Sequence, residues 1–518
     1  MPGTTPSIAF VGFMGAGKTT AARSAARVLG ADFVDTDELI AREIGGSIAG
    51  FFANQGEERF REIEQRVVLE ALTRGGVVIA LGGGAIESER VREALDGHVT
   101  TWCQVEEAEA WERASGTDRP LARDRDAFRR RLAAREPLYL GVSRVVLPGG
   151  GTELGATVAP WLGALRALPE VSLIWAATDS GSYPAAIGPG SGALLAVDDA
   201  PRLGARLFAI ADRRALREAG GLLPDLGEAE AFEVDGGEPA KTLASAERLL
   251  AELAAAGVRR DDALLAFGGG VVGDLAGFCA SVYQRGVPIV QIPTTLVAQV
   301  DSAYGGKTGV DLAAAKNYVG TYHQPAAVLA DPSALRSLPP AELAAGFAEV
   351  VKTALIVGGR LWERVRAIGE LSADTVAPLV FDCALAKIEI VAADERDAGG
   401  RAVLNLGHTV GHAIEAATGY ATYRHGEAIS LGLLASLRLS GADGLREEVA
   451  GILARAGLPV QLDGGVDVDA VLEATGRDKK RTTDGVGFVL LAEPGSPVHG
   501  ERVDPDSLRA AVEELVES

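Results

Sequence analysis

Two groups of residues in this chain have types and spacings that could do chemistry. The first lies in SIAFVGFMGAGKTTAARSAARVLG, where Gly12, Gly17, Lys18 and Thr19 satisfy the pattern G-x4-G-K-[ST]. In such a loop the backbone N–H groups wrap nucleotide phosphates, the lysine reaches their outer oxygens and the threonine hydroxyl ligates magnesium. Gly15 and Thr20 extend the same phosphate contacts. About one helix later, DFVDTDELI offers Asp35 and Asp37, which would point the same way from a strand end. One can serve the magnesium ion while the other orients an acceptor hydroxyl. The same stretch also reads as a helix N-cap with an acidic first turn, which Thr36 or Asp37 could supply.

The second group is NLGHTVGHAIEAATGYATYRHGE, residues 405–427, which holds His408, His412 and His425, three of the six histidines in the chain. His408 and His412 are four apart in a run without proline, so on a helix they share one face. Imidazole is a favoured zinc ligand, and catalytic zinc sites take three protein ligands and leave a position open. The candidate carboxylate is Glu349 in GFAEVVKTA, with Lys352 three residues later. A single helical histidine is more often a cap or a core residue; the clustering of three favours a metal.

Lysine usage marks further positions. Of 50 basic residues only eight are lysine: Lys18, Lys241, Lys307, Lys316, Lys352, Lys387, Lys479 and Lys480. A nucleotide bias that exchanges lysine for arginine wherever either serves would leave lysine where a compact ammonium is needed. Asparagine is similarly scarce, and Asn317 and Asn405 both lie beside motif residues.

These groups need elements to hold them. A chain of 518 residues is long enough for two or three domains, and 47% hydrophobic residues with 65 glycines suit an α/β protein rich in strand-to-helix turns. A formal charge of −21 argues against nucleic acid or an anionic membrane as partner. The three dispersed cysteines fit a reducing compartment, and the absence of a signal-like or membrane-spanning apolar run leads us to expect a cytoplasmic protein. Apolar strands alternate with helices from the N-terminus onward. ALLAFGGGVVGDLAGFCASVY places Gly268, Gly270 and Gly273 as G-x-G-x-x-G between a strand and a helix, a pyrophosphate pattern also compatible with close helix–strand packing. Glu238 and Lys241 in GGEPAKTL, and Thr294 and Thr295 in a PTT turn, add to a dinucleotide reading. VDSAYGGKTGVDLAAAKNYVG brings Asp301, Lys307, Lys316 and Asn317 into one glycine-rich stretch, and ALAKIEIVAADERDAGGRAVLNLGH supplies Lys387, Asp397, Arg401 and Asn405 ahead of His408.

Up to about residue 165 the chain resembles shikimate kinase: besides the phosphate loop it has Arg61 in FREIE, Gly82, Gly83 and Gly84 after VVIAL, Arg119 in TDRPLA and Arg135 in AAREPLY. The resemblance implies a P-loop kinase domain with a parallel sheet over residues 1–166, using ATP and Mg2+. It implies that Asp37, Arg61, Gly83 and Arg135 hold shikimate, that the two arginines clamp its carboxylate, and that Asp35 sits by magnesium. Arg119, in a lid over about 115–126, would neutralise charge on the transferring phosphoryl group.

From about residue 171 onward the chain resembles 3-dehydroquinate synthase, through GGGVVGD, PTTL, VDS..GGKTGV, AEVVK, DER…LNLGHTVGHAIE and RHGEA in that order. This implies a nucleotide-binding α/β domain over 171–330 and a mostly helical metal- and substrate-binding domain over 331–518. It implies zinc (or cobalt) on Glu349, His408 and His425, with His412 contacting the substrate phosphate. NAD would be held by Asp212, Glu238, Lys241, Gly269, Gly270, Asp274, Thr294 and Thr295. Substrate contacts fall to Asp301, Lys307, Asn317, Lys352, Lys387, Arg401 and Asn405, with Lys316 near both ligands. The implied reaction is transient oxidation of a phosphorylated seven-carbon keto-sugar acid, phosphate elimination and ring closure, in a homodimer. The sequence departs from that pattern at Asp397, where the family has glutamate, so a contact there is shorter or water-bridged, and at Arg214, where a smaller residue is usual. The alternatives are another sugar-phosphate cyclase, a metal-dependent alcohol dehydrogenase, or a nucleotide-binding protein with silent sites.

Overall fold

The computed structural model describes residues 5–115, 123–197, 200–224, 231–312, 315–397, 399–478 and 487–516. Arg119, Lys479 and Lys480, and most of the expected lid, lie outside the described residues. The chain folds as two compact units. Unit 1 comprises Met1–Ala177, Pro184–Ala186 and Ala193–Arg202; unit 2 comprises Thr178–Tyr183, Ile187–Gly192 and Leu203–Ser518.

Unit 1 is built on parallel strands β1 (Ile8–Val11), β2 (Phe33–Asp35), β3 (Val78–Ala80), β4 (Val99–Cys103), β5 (Val145–Leu147) and β6 (Ser172–Thr178), in the spatial order β2-β3-β1-β4-β5-β6. A parallel sheet is covered on both faces, so its strands are unbroken apolar runs, and every residue of β1, β3, β4 and β5 is buried. The helices are α1 (Lys18–Leu29), α2 (Thr36–Glu43), α3 (Ile48–Leu72), α4 (Glu89–Leu95), α5 (Glu107–Ser115), α6 (Arg125–Val142) and α7 (Thr152–Ala164). Gly17 caps α1 at φ 78°, a left-handed conformation that turns the loop into the helix and is strained for any residue with a side chain.

After β7 (Gly181–Ile187), whose residues are divided between the units, unit 2 carries β8 (Leu207–Asp212), β9 (Ala231–Val234), β10 (Ala263–Gly268), β11 (Ile289–Pro293), β12 (Lys307–Leu312), β13 (Ala315–Tyr322) and β14 (Ala327–Ala330). Strands β14-β11-β10-β8-β9 form a parallel sheet in that order, while β12 and β13 form a separate antiparallel hairpin with Lys307 opposite Tyr322. The helices are α8 (Arg213–Ala219), α9 (Leu243–Ala255), α10 (Gly270–Val282), α11 (Pro340–Val357), α12 (Gly359–Arg366), α13 (Ala373–Val376), α14 (Val380–Ala393), α15 (His408–Ala417), α16 (His425–Leu439), α17 (Asp443–Arg455), α18 (Val468–Asp478) and α19 (Pro505–Glu513), so the chain beyond β14 is mostly helical. This is the α/β architecture expected from the alternating pattern.

Helix α11 is the pivot of the helical part. Pro339 and Pro340 start it, Gly358 ends it, and every residue from Leu343 to Ile356 is buried, Glu349 and Lys352 included. Helix α16 begins against it, at Gly426. A Cβ on Gly426 would lie 1.8 Å from the Ala345 carbonyl oxygen, so only glycine permits this backbone-to-backbone approach. That contact seats His425, the first residue of α16, beside Glu349.

Candidate active sites

In unit 1 the phosphate loop and the end of β2 converge. Lys18 Nζ donates to the Phe13 carbonyl at 2.9 Å, and the Thr19 hydroxyl donates to Asp35 Oδ2 at 3.0 Å. Asp35 Oδ1 accepts from the Asp37 and Glu38 amides at 2.9 and 3.3 Å. The cap of α2 is therefore Asp35, and Thr36 is spent elsewhere, its hydroxyl accepting from the Gly82 amide at 3.0 Å. Gly12 and Gly15 take φ of 144° and 86° in the loop, and Thr20 follows Thr19 in α1. A pair of arginines lies across from Asp37. Arg61 Nη1 pairs with the buried Glu64, while Nη2 reaches Glu57 at 2.9 Å and Glu87 at 3.4 Å. Arg135, only 2% exposed, donates from Nε to Glu87 at 3.0 Å and from Nη1 to the Gly83 carbonyl at 3.3 Å, which also accepts from the Tyr139 hydroxyl at 2.6 Å. Burial pushes the Glu64 carboxyl up, against the pull of Arg61. One donor of each arginine, Arg61 Nε and Arg135 Nη2, is buried without a hydrogen-bond partner.

In unit 2 the carboxylate of Glu349 faces two imidazoles: His425 Nε2 lies 3.3 Å and His408 Nε2 3.7 Å from Oε1. The donor atoms of Glu349, His408 and His425 all lie within 4.8 Å of one another. His408 Nδ1 lies 3.2 Å from the Leu406 carbonyl oxygen, which places its proton on Nδ1 and leaves the Nε2 lone pair facing Glu349. Lys352 Nζ contacts Glu349 Oε2 and stands 3.7 Å from Asp301 Oδ1, while Lys387 Nζ donates to the same Asp301 oxygen at 2.6 Å. Asp301 sits in a π-helical turn, Ala298–Ser302. Burial works against charge throughout this cluster, and the pairing decides the outcome. Glu349 is held well below the usual carboxylate range by Lys352 and the imidazoles, and Asp301 falls to about 2 beside Lys387 and Lys352. His408 is pushed down by burial and by Lys352, whereas Glu349 and Glu415 outweigh burial at His425 and raise it to about 10.

A cavity of about 600 Å³ opens beside this cluster, lined by Asp274, Asp301, Lys307, Asn317, Lys352, Lys387, Asp397, Arg401, Asn405 and His408 among others. Lys307 Nζ meets Asp397 Oδ2 directly at 2.5 Å, and buried Arg401 donates to the Glu395 carbonyl at 2.8 Å. His412 and His425 are not among the lining residues; the His412 ring stands 5.1 Å from His408 and 5.8 Å from His425. The residues expected to hold a dinucleotide gather at the carboxyl ends of β8, β10 and β11, where open α/β sheets take their ligands. Asp212 caps α8 by accepting from the Arg214 and Ala215 amides at 2.7 and 3.0 Å; Gly269 caps α10 and Gly270 begins it. The Thr294 amide donates to the Gly268 carbonyl at 2.9 Å, and a Cβ on Gly269 would lie 2.9 Å from Thr295 Cγ2. Lys241 Nζ pairs with Asp274 at 2.5 Å and also contacts Asn317 Oδ1. Burial raises Asp274 to about 6, against the pull of Lys241. Lys316 Nζ lies 3.6 Å from Glu238 and 4.0 Å from Glu415. The Arg214 side chain turns to Glu218 at 3.0 Å.

Residues 231–345 match the N-terminal family of 3-dehydroquinate synthase, residues 346–481 its C-terminal family and residues 14–159 the shikimate kinase family. The 3-dehydroquinate synthase of Symbiobacterium thermophilum is 40% identical over 391 residues, covering 74% of this chain and 98% of that protein. The chain belongs to the 3-dehydroquinate synthase family. The synthase of a Synechococcus strain is 39% identical over 327 residues, 61% of this chain and 85% of its own length. Two solved structures share the fold of the synthase part. One is 2-deoxy-scyllo-inosose synthase with carbaglucose-6-phosphate, NAD+ and Co2+ (25% identity, TM-score 0.58, 67% of this chain and all of that one). The other is the 2-epi-5-epi-valiolone synthase of Streptomyces hygroscopicus with NAD+ and Zn2+ (27% identity, TM-score 0.59, 65% and 98%). With a shikimate kinase ahead of the synthase, the chain is a bifunctional shikimate-pathway enzyme acting on small molecules.

Sequence reasoning passed over three acids of these sites. Glu415, three residues after His412 in the GHAIE stretch, is buried and lies 3.6 Å from His425 Nδ1; with His412 and His425 it forms a second group of donor atoms within 4.8 Å. Its seven-residue spacing from His408 was the available signal. Glu64, three residues after Arg61, could have been found by helical spacing; Glu87 could not, since only the fold brings it to Arg61 and Arg135.

Proposed function

We propose that unit 1 transfers the γ-phosphoryl group of ATP to a hydroxyl of shikimate, giving shikimate 3-phosphate. In unit 2, we propose, 3-deoxy-D-arabino-heptulosonate 7-phosphate is converted to 3-dehydroquinate with release of phosphate. The observation that carries the synthase assignment is the Glu349 carboxylate. Both of its oxygens are buried without a hydrogen-bonding donor in proper geometry, yet two imidazole Nε2 atoms and one ammonium face them. That arrangement fits a dication: Glu349, His408 and His425 supply one oxygen and two nitrogens, the donor set of a catalytic zinc site with an open position. When bound, a zinc or cobalt ion would acidify a substrate hydroxyl and NAD would accept and return a hydride.

The remaining work falls to the chain's own side chains. Lys307, Lys352 and His412 would hold the substrate phosphate and follow it as it departs, and Lys387, Arg401, Asn405, Asp301 and Asn317 would bind the carboxylate and hydroxyls. Asp212, Glu238, Lys241, Gly269, Gly270, Asp274, Thr294, Thr295 and Lys316 would hold NAD. In the kinase, Lys18 and the loop amides would hold the phosphates, Thr19 and Asp35 the magnesium ion, and Asp37 the proton of the attacking hydroxyl. Arg61, Gly83 and Arg135 would position shikimate, and Arg119 the transferring charge. We assign these roles to domains over 1–166, 171–330 and 331–518, in a cytoplasmic enzyme that dimerises through the synthase half. Among the described residues no helix is long and apolar enough to cross a membrane. Measuring phosphate release from the heptulosonate phosphate with NAD, before and after chelation, tests the synthase reading; release undiminished in the metal-stripped protein would end it.

A further inference from the structure

The arginine pair of unit 1 is already engaged by a carboxylate of the protein itself. Glu87, in the short turn that follows Gly82–Gly84, reaches both members: Oε1 accepts from Arg135 Nε at 3.0 Å and Oε2 stands 3.4 Å from Arg61 Nη2. A guanidinium binds a carboxylate bidentately through two neighbouring N–H groups in a fixed fork. On the side edge of Arg135 those two donors are Nε and Nη2. Glu87 takes the first, and the second is buried without a partner. Arg61 repeats the pattern, with Nη2 drawn to Glu57 and Glu87 and Nε buried and unpartnered. Each fork is therefore half filled, and a ligand carboxylate that used both donors of Arg135 would need the place of Glu87. The three groups also differ in freedom. The Arg135 side chain is 2% exposed and fixed by Gly83, whereas that of Glu87 is 41% exposed, with solvent beside it into which it can turn.

We propose that Glu87 is an internal competitor for the substrate carboxylate, which must displace it from Arg135 and Arg61. The inference rests on the reading of this arginine pair as the clamp for shikimate. Glu87 bridges Arg135 and Arg61 before substrate arrives and sets the affinity below what the bare fork would give. It takes no part in phosphoryl transfer.

The test uses the full chain with ATP and Mg2+ saturating and shikimate varied. In Glu87→Gln and Glu87→Ala the KM for shikimate falls about 3- to 10-fold, while kcat stays within about twofold. A fivefold gain corresponds to about 1 kcal/mol, in the range of one partly exposed ion pair. An unchanged or raised KM in both variants, with the unfolding midpoint preserved, overturns the proposal, because Glu87 then supports the arginines without competing. Arg135→Lys, measured in parallel, separates the two claims. A KM raised at least tenfold upholds the clamp, so that a failure at Glu87 is a failure of competition alone. An unaltered KM in Arg135→Lys overturns the clamp and the proposal with it.

Discussion

Replacing Lys352 with methionine separates the electrostatics of the synthase site from its chemistry. Both Lys352 and Glu349 are 1% exposed, and the ammonium contacts Glu349 Oε2. Asp301 keeps its second partner, Lys387, at 2.6 Å, so the loss falls mainly on Glu349. Breaking one side of a buried ion pair costs about 3–5 kcal/mol, because the remaining charge has been taken out of water without compensation. In metal-free protein Lys352→Met should therefore lower the unfolding midpoint of unit 2 by about 4–7 °C, at roughly 1.5 °C per kcal/mol for a unit of about 330 residues. A dication on Glu349, His408 and His425 supplies the missing positive charge. In saturating Zn2+ the deficit should shrink by at least half, beyond the roughly 2.7 kcal/mol that ligand at 100 times its Kd gives any binder. The assay is scanning calorimetry of wild type and variant, each with chelator and with Zn2+, reading the transition that responds to metal. An equal deficit in both conditions would refute the reasoning, since Glu349 would then have no metal to exchange for its lysine.

Three further outcomes follow from the geometry. Glu415→Ala should release metal to a competing chelator about 10–100 times more readily than wild type, as the carboxylate that orients His425 Nδ1 is lost, with Glu415→Gln in between; equal retention in all three proteins would remove Glu415 from the site. Gly426→Ala forces a methyl to within 1.8 Å of the Ala345 carbonyl oxygen, so α16 must move off α11; a loss of about 1–3 kcal/mol in urea denaturation, together with weakened metal binding, is expected. Asp274, raised to about 6 by burial, binds its proton more tightly folded than unfolded, so this residue's contribution to stability falls as pH rises from about 4 to 6 and levels above that. Asp274→Asn should therefore gain on wild type across that window, and parallel curves from pH 4 to 7 would show an ordinary carboxyl.

Much of this was legible because the motifs lie on single elements. The phosphate loop sits between β1 and α1 because its pattern specifies a strand, a tight turn and a helix N-terminus, and no distant contact is needed to recognise it. His408 and His412 follow from helical spacing alone. The scarce lysines cluster in the fold as well: of the six described, Lys18 lies in the loop, Lys307, Lys352 and Lys387 line the cavity, Lys241 pairs with Asp274 of its lining, and Lys316 lies 3.6 Å from Glu238. What stayed hidden depends on tertiary approach. Nothing local says that Asp301 occupies a π-helical turn, that Lys307 and Asn317 belong to the two strands of one hairpin, or that α16 meets α11 at a glycine. The cap of α2 went to Asp35 because an extended residue at the strand end reaches the amides two and three residues on, while the Thr36 hydroxyl faces inward to the Gly82 amide. At Asp397 the shorter acid still meets Lys307 without an intermediary.

The pairing of Lys307 with Asp397, Lys387 with Asp301 and Lys241 with Asp274 bears on how an anionic substrate is received. Each of these cations carries a tethered counterion that belongs to the polymer. A phosphate that takes over one of them frees an aspartate which stays attached, and no small ion escapes to the buffer. The entropy of counterion release that makes many polyanion interactions steeply salt-dependent is then largely absent. A chain with net charge −21 can thus admit a phosphorylated ligand through neighbour exchange at close range, and its affinity should change little as the ionic strength of the medium varies.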